Sequence, residues 1–370
     1  MSASVVIAGA LAQRPQHGGH AWVFLQYLLG FRRLGCPVLF LDELPADTPH
    51  KLVHSGLDVL HRYGFHADYS VRIGDKTRGI RRAEMLARVK SADVFINVMG
   101  YIRDEEILAA ARCRTFLDID PGFGQMWREL GQADIFAGHE KFVTVGLNYG
   151  APDCTAPTCG LRWIKSPPPV VLAEWPAQTS PSLTFTSVAS WRGPFAPVEF
   201  GGRRYGLRVH EFRKFLELPA QTGAEFMLGL DIHEADAPDL AALRGSGWHV
   251  VSPISAAGDT SRYRTFVQAS GAEFMVAKNL YVDTNGGWFS DRSACYLASG
   301  RPVLAQRTGW PFAEGRGLLG FSTLAEAAEG VRAIRADYAA HSLAAREIAE
   351  EHFDSDKVLA RLLRKLEVPS

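Results

Sequence analysis

Apolar runs of strand length alternate with segments of helix length along almost the whole chain, and this alternation constrains the fold more than any other feature. Val5 to Ala8 is a short apolar run, Ala21 to Leu34 has helix length and Val38 to Leu41 is a second strand, together a βαβ unit. A helix near Arg82 to Ala92, a strand Val94 to Val98, a helix Asp104 to Arg112 and a strand Thr115 to Ile119 continue the pattern. Such a doubly wound half carries its ligand-binding loops at the carboxyl ends of its strands. The stretch Lys165 to Ser182, with four prolines in Lys165-Ser-Pro-Pro-Pro-Val-Val-Leu-Ala-Glu-Trp-Pro and another at Pro181, breaks the pattern and predicts a linker.

Beyond it the alternation resumes. Strands are expected at Leu183 to Val188, Glu225 to Leu230, Trp248 to Val251, Glu273 to Ala277 and Pro302 to Ala305. The intervening helices fall at Leu207 to Leu216, Asp236 to Leu243, Ser261 to Ser270 and Ser290 to Ser299, and the last roughly 45 residues read as helices that cover a sheet. The expected class is α/β, with a Rossmann-like domain over residues 1–170, a second over 171–345 and a helical segment, 346–370, packing on both. A chain of 370 residues is long enough for two such cores.

Charge and cysteine usage narrow the partners. Lys plus Arg equals Asp plus Glu at 40 each, so no general pull toward nucleic acid or an anionic membrane is built in. The start, Met1-Ser-Ala-Ser-Val-Val-Ile-Ala-Gly-Ala-Leu, has no basic region and only a short apolar stretch, and no segment is long enough to span a bilayer. Five scattered cysteines, an odd number, suit a reducing compartment, and a cytoplasmic location is expected. Cys154 and Cys159 lack histidine partners at ligand spacing, so no metal site is expected.

The segment Asn285-Gly-Gly-Trp-Phe-Ser-Asp-Arg-Ser-Ala-Cys-Tyr-Leu-Ala-Ser-Gly-Arg-Pro-Val-Leu-Ala-Gln-Arg-Thr places a glycine turn before a helix and then a strand. Ser290 is a good N-cap, and the first helical N–H groups favour an anion. Arg292 can add charge-assisted hydrogen bonds to a diphosphate. The plainer alternative is a tight turn at Gly286 and Gly287 with a solvated Arg292.

The run Leu297-Ala-Ser-Gly-Arg-Pro-Val-Leu resembles the helix-to-strand step in the donor domain of GT-B glycosyltransferases, and Gly287-Trp-Phe-Ser is similar to the Gly-Trp-Asn-Ser of the plant-type signature. The segment also resembles bacterial family 1-like glycosyltransferases of the spore-maturation type. The resemblance covers roughly residues 183 to 345. It implies a GT-B fold, two Rossmann-like domains facing a cleft, with an N-terminal acceptor domain and a C-terminal nucleotide-sugar domain. Two departures carry information. The glutamate pair of retaining members is replaced by Gly287 and Cys295, which points to inversion. Asn285 and Gly286 stand in place of the plant-type His-Cys, leaving Asp283, Asp291 or Trp288 to serve the nucleotide.

Carried onto this chain, the donor site takes Gly287, Trp288, Ser290, Asp291 and Arg292. It adds Ser190, Arg192 and Gly193 from Thr186-Ser-Val-Ala-Ser-Trp-Arg-Gly-Pro, and Lys278 at a strand end. In the loop before the first helix, Gly18 and Gly19 allow close substrate approach, His20 is the first candidate base and His17 the second. Asp118 and Asp120 follow a strand two residues apart, which would place both on one face, Asp118 as an acceptor contact and Asp120 as a base or as a partner polarising His20. The Asp-X-Asp metal motif belongs to the GT-A fold and is set aside. The expected activity is transfer of a hexose from a UDP or TDP sugar to a hydroxyl, inverting, metal-independent and without a cofactor. The alternatives are a nucleotide-sugar epimerase or hydrolase on the same frame and a non-catalytic nucleotide-sugar-binding protein. A nicotinamide dehydrogenase is disfavoured, because no Gly-X-Gly-X-X-Gly joins the first strand to its helix.

Overall fold

The computed structural model describes residues 3–178, 182–193 and 195–368. The first sheet contains β1 (Val5–Gly9), β2 (Val38–Leu44), β3 (Tyr69–Ile73), β4 (Lys76–Gly79), β5 (Val94–Val98), β6 (Arg114–Asp118), β7 (Lys141–Thr144) and β8 (Trp163–Lys165). Their order is β4-β3-β2-β1-β5-β6-β7-β8, parallel throughout except for the β3–β4 hairpin. The second half opens with β9 (Phe185–Ser190), followed by a small antiparallel hairpin of β10 (Val198–Phe200) and β11 (Arg203–Tyr205). Then come β12 (Phe226–Asp231), β13 (Trp248–Val251), β14 (Ala272–Met275), β15 (Val303–Gln306) and β16 (Leu318–Phe321). That sheet is wholly parallel, in the order β13-β12-β9-β14-β15-β16.

Burial explains why these segments are strands. β1, β5, β14 and β15 are inaccessible at every residue, as expected of strands covered by helices on both faces. The helix Gly18–Arg33 is apolar almost all round because it is covered on several sides. Its Gly30 lets the last helix, Ser355–Lys365, approach closely: a Cβ there would meet Leu359 Cδ1 at 2.5 Å. Arg33 clamps the same helix through two hydrogen bonds to Asp356, at 3.0 and 2.8 Å. The helix Ser355–Lys365 thus packs on the N-terminal half.

The proline-rich stretch is not a solvated linker. Val170, Val171 and Trp175 are buried, Val171 N–H donates to Gln26 Oε1 at 2.7 Å, and Trp175 packs edge-on against Trp22 at 4.9 Å. Prolines suit this path because an extended strap packed by side chains makes no ladder of backbone hydrogen bonds. Pro181 lies outside the described residues.

The glycine turn of Asn285 to Thr308 lies on the seam between the halves. Leu147 N–H donates to Gly287 O and Asn148 N–H to Gly286 O, both at 3.1 Å, and Gly146 bridges Trp288. Gly287 has φ +75°, and a Cβ there would stand 2.3 Å from Asn148 N. Glycine is therefore required for backbone to meet backbone. Gly287→Ala is expected to lower stability by about 2 kcal/mol or more, through left-handed strain plus the clash. Gly201→Ala, at φ +57° with nothing within 4 Å, carries the strain alone and should cost less. Urea unfolding of the two variants measures the difference.

Candidate functional site

In each sheet one strand is flanked by neighbours whose connections leave in opposite directions: β1 between β2 and β5, and β9 between β12 and β14. Crevices open at the carboxyl ends of such strands, and here the two crevices face one another. The loop after β1 is held by Asp42 at the end of β2, which accepts from Ala12 N–H at 2.7 Å and Gln13 Nε2 at 3.1 Å. Burial pushes the Asp42 carboxyl up to about 7. That loop delivers His17, Gly19 and His20 at the start of the helix Gly18–Arg33, whose first turn has no side-chain cap and no acidic residue.

One cavity, ≈ 490 Å³, has these residues on one wall and Ser190, Gly193, Arg208, Lys278 and Arg292 on the other. Asp231, Pro253 and Ile254 complete it. The three cations have different partners. Arg292 donates through Nε to the fully buried Glu273 at 2.5 Å and through Nη1 to Val188 O at 2.9 Å. Lys278 donates to both carboxylate oxygens of Asp120, at 3.1 and 2.9 Å, across the seam. Burial lowers the Lys278 pKa and the Asp120 charge opposes that shift. Arg208 is buried and bonds only carbonyls, Val276 O at 3.1 Å and Ser190 O at 2.9 Å. Burial and the charge of Arg292 push its pKa down to about 10. Among the described residues no carboxylate bonds Arg208, so it is the cation most in need of an anion.

A second cavity, ≈ 460 Å³, lies on the N-terminal side, with Gln13, Arg14, Tyr101, Arg103, Asp120, Trp127 and Phe195 in its wall. His20 borders both cavities. Its Nε2 lies 2.9 Å from Ala10 O, and because a carbonyl only accepts, the ring proton sits on Nε2 and the Nδ1 lone pair is left free. Burial, against the Ala10 hydrogen bond and with the help of the Arg14 and His17 charges, lowers the imidazole pKa to about 4.

Several expected site residues sit elsewhere. Gly287 and Trp288 belong to the seam, where Trp288 stacks on Tyr281 at 4.2 Å. Ser290 does cap its helix, accepting from Arg292 N–H at 3.2 Å, but it is buried, and Asp291 lines a narrow crevice with Trp22 and Cys295. Of that segment only Arg292 reaches the main cavity. Arg192 is 55% exposed and is held by Asp236 in a two-point ion pair, away from the cavity wall. The neighbouring Pro194 lies outside the described residues. Gly18 is a packing glycine, since a Cβ would lie 2.1 Å from Asp259 O of the other half. Asp118 and Asp120 do not share a role. Asp118 is buried, accepts from Gln125 Nε2 at 2.7 Å and Thr144 Oγ1 at 3.3 Å, and burial raises its carboxyl to about 7. Asp120 lies beyond the strand, where the alternation ends, and bonds Lys278 and the Tyr281 hydroxyl, not His20.

Comparison with solved structures places this geometry in a known fold. The alpha-glucosyltransferase solved with UDP-glucose and DNA containing an abasic site matches with a TM-score of 0.59 at 11% identity, over 98% of each chain. Anabaena HepE in complex with UDP matches at 0.56 and 12%, over 99% of this chain and 100% of its own. A glycosyltransferase from Rickettsia africae matches at 0.55 and 11%, over 99% and 98%. No protein-family model matches the chain, and no curated protein matches it in sequence. The architecture is GT-B: two Rossmann-like domains facing a cleft.

Two measurements probe the site directly. Calorimetric titration with inorganic pyrophosphate should show affinity reduced about tenfold or more in Arg208→Met and changed less than about twofold in Arg192→Met. Because the folded His20 pKa of about 4 lies below its usual 6.5, the folded state binds fewer protons between those values. Its contribution to stability is present above pH 6.5 and is lost as pH falls toward 4. Unfolding midpoints of His20→Gln should therefore decline less than those of the parent across that interval.

Proposed function

We propose that the protein is a glycosyltransferase that moves a hexose from a UDP or TDP sugar to a hydroxyl-bearing acceptor, with inversion and without a metal ion. The observation that carries this reading is Arg208, a buried cation with no bonded carboxylate, in a cavity that also holds Lys278, Arg292 and an uncapped helix start. A diphosphate satisfies all four at once. Ile254, 56% exposed and apolar, offers a face for the base beyond the phosphates, and Asp231 can accept from ribose hydroxyls. The UDP named with HepE and with the alpha-glucosyltransferase supports the same ligand class.

In the reaction, the acceptor hydroxyl gives its proton to His20 Nδ1 as its oxygen bonds the anomeric carbon. The bond from that carbon to the diphosphate oxygen breaks, and its electron pair leaves with the nucleoside diphosphate. Arg208, Arg292, Lys278 and the helix start offset the growing charge, the part a divalent ion plays elsewhere. Inversion is the reading in keeping with Gly287 and Cys295 in place of the glutamate pair and with Asp120 tied to Lys278 and Tyr281, while Asp231, the carboxylate in the donor cavity, is assigned to the ribose. The acceptor is read as a small molecule and not nucleic acid, since the chain carries no net charge. The DNA in the alpha-glucosyltransferase complex belongs to that protein. Among the described residues no helix is long and apolar enough to cross a membrane and all five cysteines are free, in keeping with a cytoplasmic protein.

UDP is expected to raise the melting temperature, and EDTA to leave turnover unchanged; loss of turnover restored by magnesium would contradict metal independence. His20→Gln should lower kcat by about 10²–10⁴-fold while UDP affinity stays the same. With the imidazole near 4, activity should hold down to about pH 5 instead of falling below 6.5. The anomeric proton of the product, read by NMR, should show inversion relative to the donor.

A further inference from the structure

We infer that the acceptor is a small anionic molecule, one that carries a carboxylate or phosphate on a ring-bearing body and presents its hydroxyl to His20. This rests on the proposed transferase reading and adds the substrate class of the second cavity. The wall of that cavity holds two arginines, Arg14 on the loop after β1 and Arg103 on the loop after β5. Both are exposed, and among the described residues neither side chain has a hydrogen bond or ion pair. Other arginines at the same end of the sheet do: Arg72 is tied to Glu43, and Arg82 to Asp104 and Glu106. The one carboxylate in the wall, Asp120, is already neutralised by Lys278. The cavity therefore carries an uncompensated charge of about two, which attracts an anion and repels a cation.

The rest of the wall is aromatic. Tyr101 is 36% exposed, and Trp127 meets Phe195 edge to face at 5.3 Å. Phe195 comes from the C-terminal half and also contacts Phe123 at 5.0 Å, so the pocket is complete only when the halves are together. Aromatic walls favour a flat or apolar body by area and by ring geometry. A guanidinium pair favours carboxylate or phosphate oxygens. His20 borders this cavity and the donor cavity alike, so a hydroxyl on the donor-facing side of the bound anion reaches the base.

The test uses the full-length protein with UDP-glucose and three phenols of one shape: 4-hydroxybenzoate, 4-hydroxyphenyl phosphate and the neutral 4-hydroxybenzamide. Each is assayed for glucoside by mass spectrometry, and for binding by saturation-transfer NMR in the presence of UDP. The expected result is kcat/KM, or affinity where turnover is slow, about tenfold or more in favour of the two anions, with the preference lost in Arg14→Gln/Arg103→Gln. The UDP-induced rise in melting temperature reports that the double variant is folded. Equal use of the amide, or an anion preference that survives in the double variant, overturns the inference. So does an absence of binding by all three phenols while UDP binds, or glucose transfer to a DNA duplex in their place. Failure of UDP itself to bind is a distinct result, which removes the donor reading and this inference with it.

Discussion

Burial of three cations at one point of the cleft is the constraint on which the rest of the site depends. An arginine or lysine taken out of water is costly unless an anion replaces the lost solvation. Arg292 has Glu273 from its own domain, and Lys278 has Asp120 from the other domain, so one pair fixes the floor of the cavity and the other fastens the halves. Arg208 has only carbonyl oxygens. The arrangement is complete when a bound anion supplies what the protein does not.

The closed seam follows from the same economy. Backbone pairing at Gly286 and Gly287, the Trp22 indole donating to Thr260 O at 2.9 Å, and the return of the last helix to the helix Gly18–Arg33 all hold the carboxyl ends of the two sheets face to face. Domain closure brings the uncapped helix start of one half to the arginines of the other. It also brings Phe195 into the wall of the N-terminal cavity. Neither cavity belongs to one domain alone.

The fold was legible because strand and helix periods differ and the apolar runs were clean: β5 and β13 have the bounds their sequence suggests, and Ser290, Asp104 and Asp259 cap helices as their residue types allow. The His50–Arg62 helix lies outside the expected elements although Val53, Leu57 and Leu60, four and three residues apart, write one buried face into the sequence. The site was legible in part. Strand ends point to His20, Asp120 and Lys278, since a doubly wound sheet sends its loops to one edge. Arg208 gave no signal, because it reaches the cleft only through the β10–β11 hairpin and the short helix Arg208–Phe212 that follows. The turn at Gly286 and Gly287 was misleading for a physical reason: a glycine with positive φ looks alike in sequence whether a phosphate or another backbone lies against it. Asp118 was misplaced because strand alternation cannot see Gln125, whose amide claims the carboxylate.

The central claim is that a nucleoside diphosphate binds between Arg208 and the start of the helix Gly18–Arg33. A crystal structure of the protein with UDP tests it most directly. The account predicts diphosphate oxygens bonded to the Arg208 guanidinium and to the Gly19 backbone N–H, with the base toward Ile254. A diphosphate resting instead on Arg192, or no UDP in the cleft at saturating concentration, would contradict it.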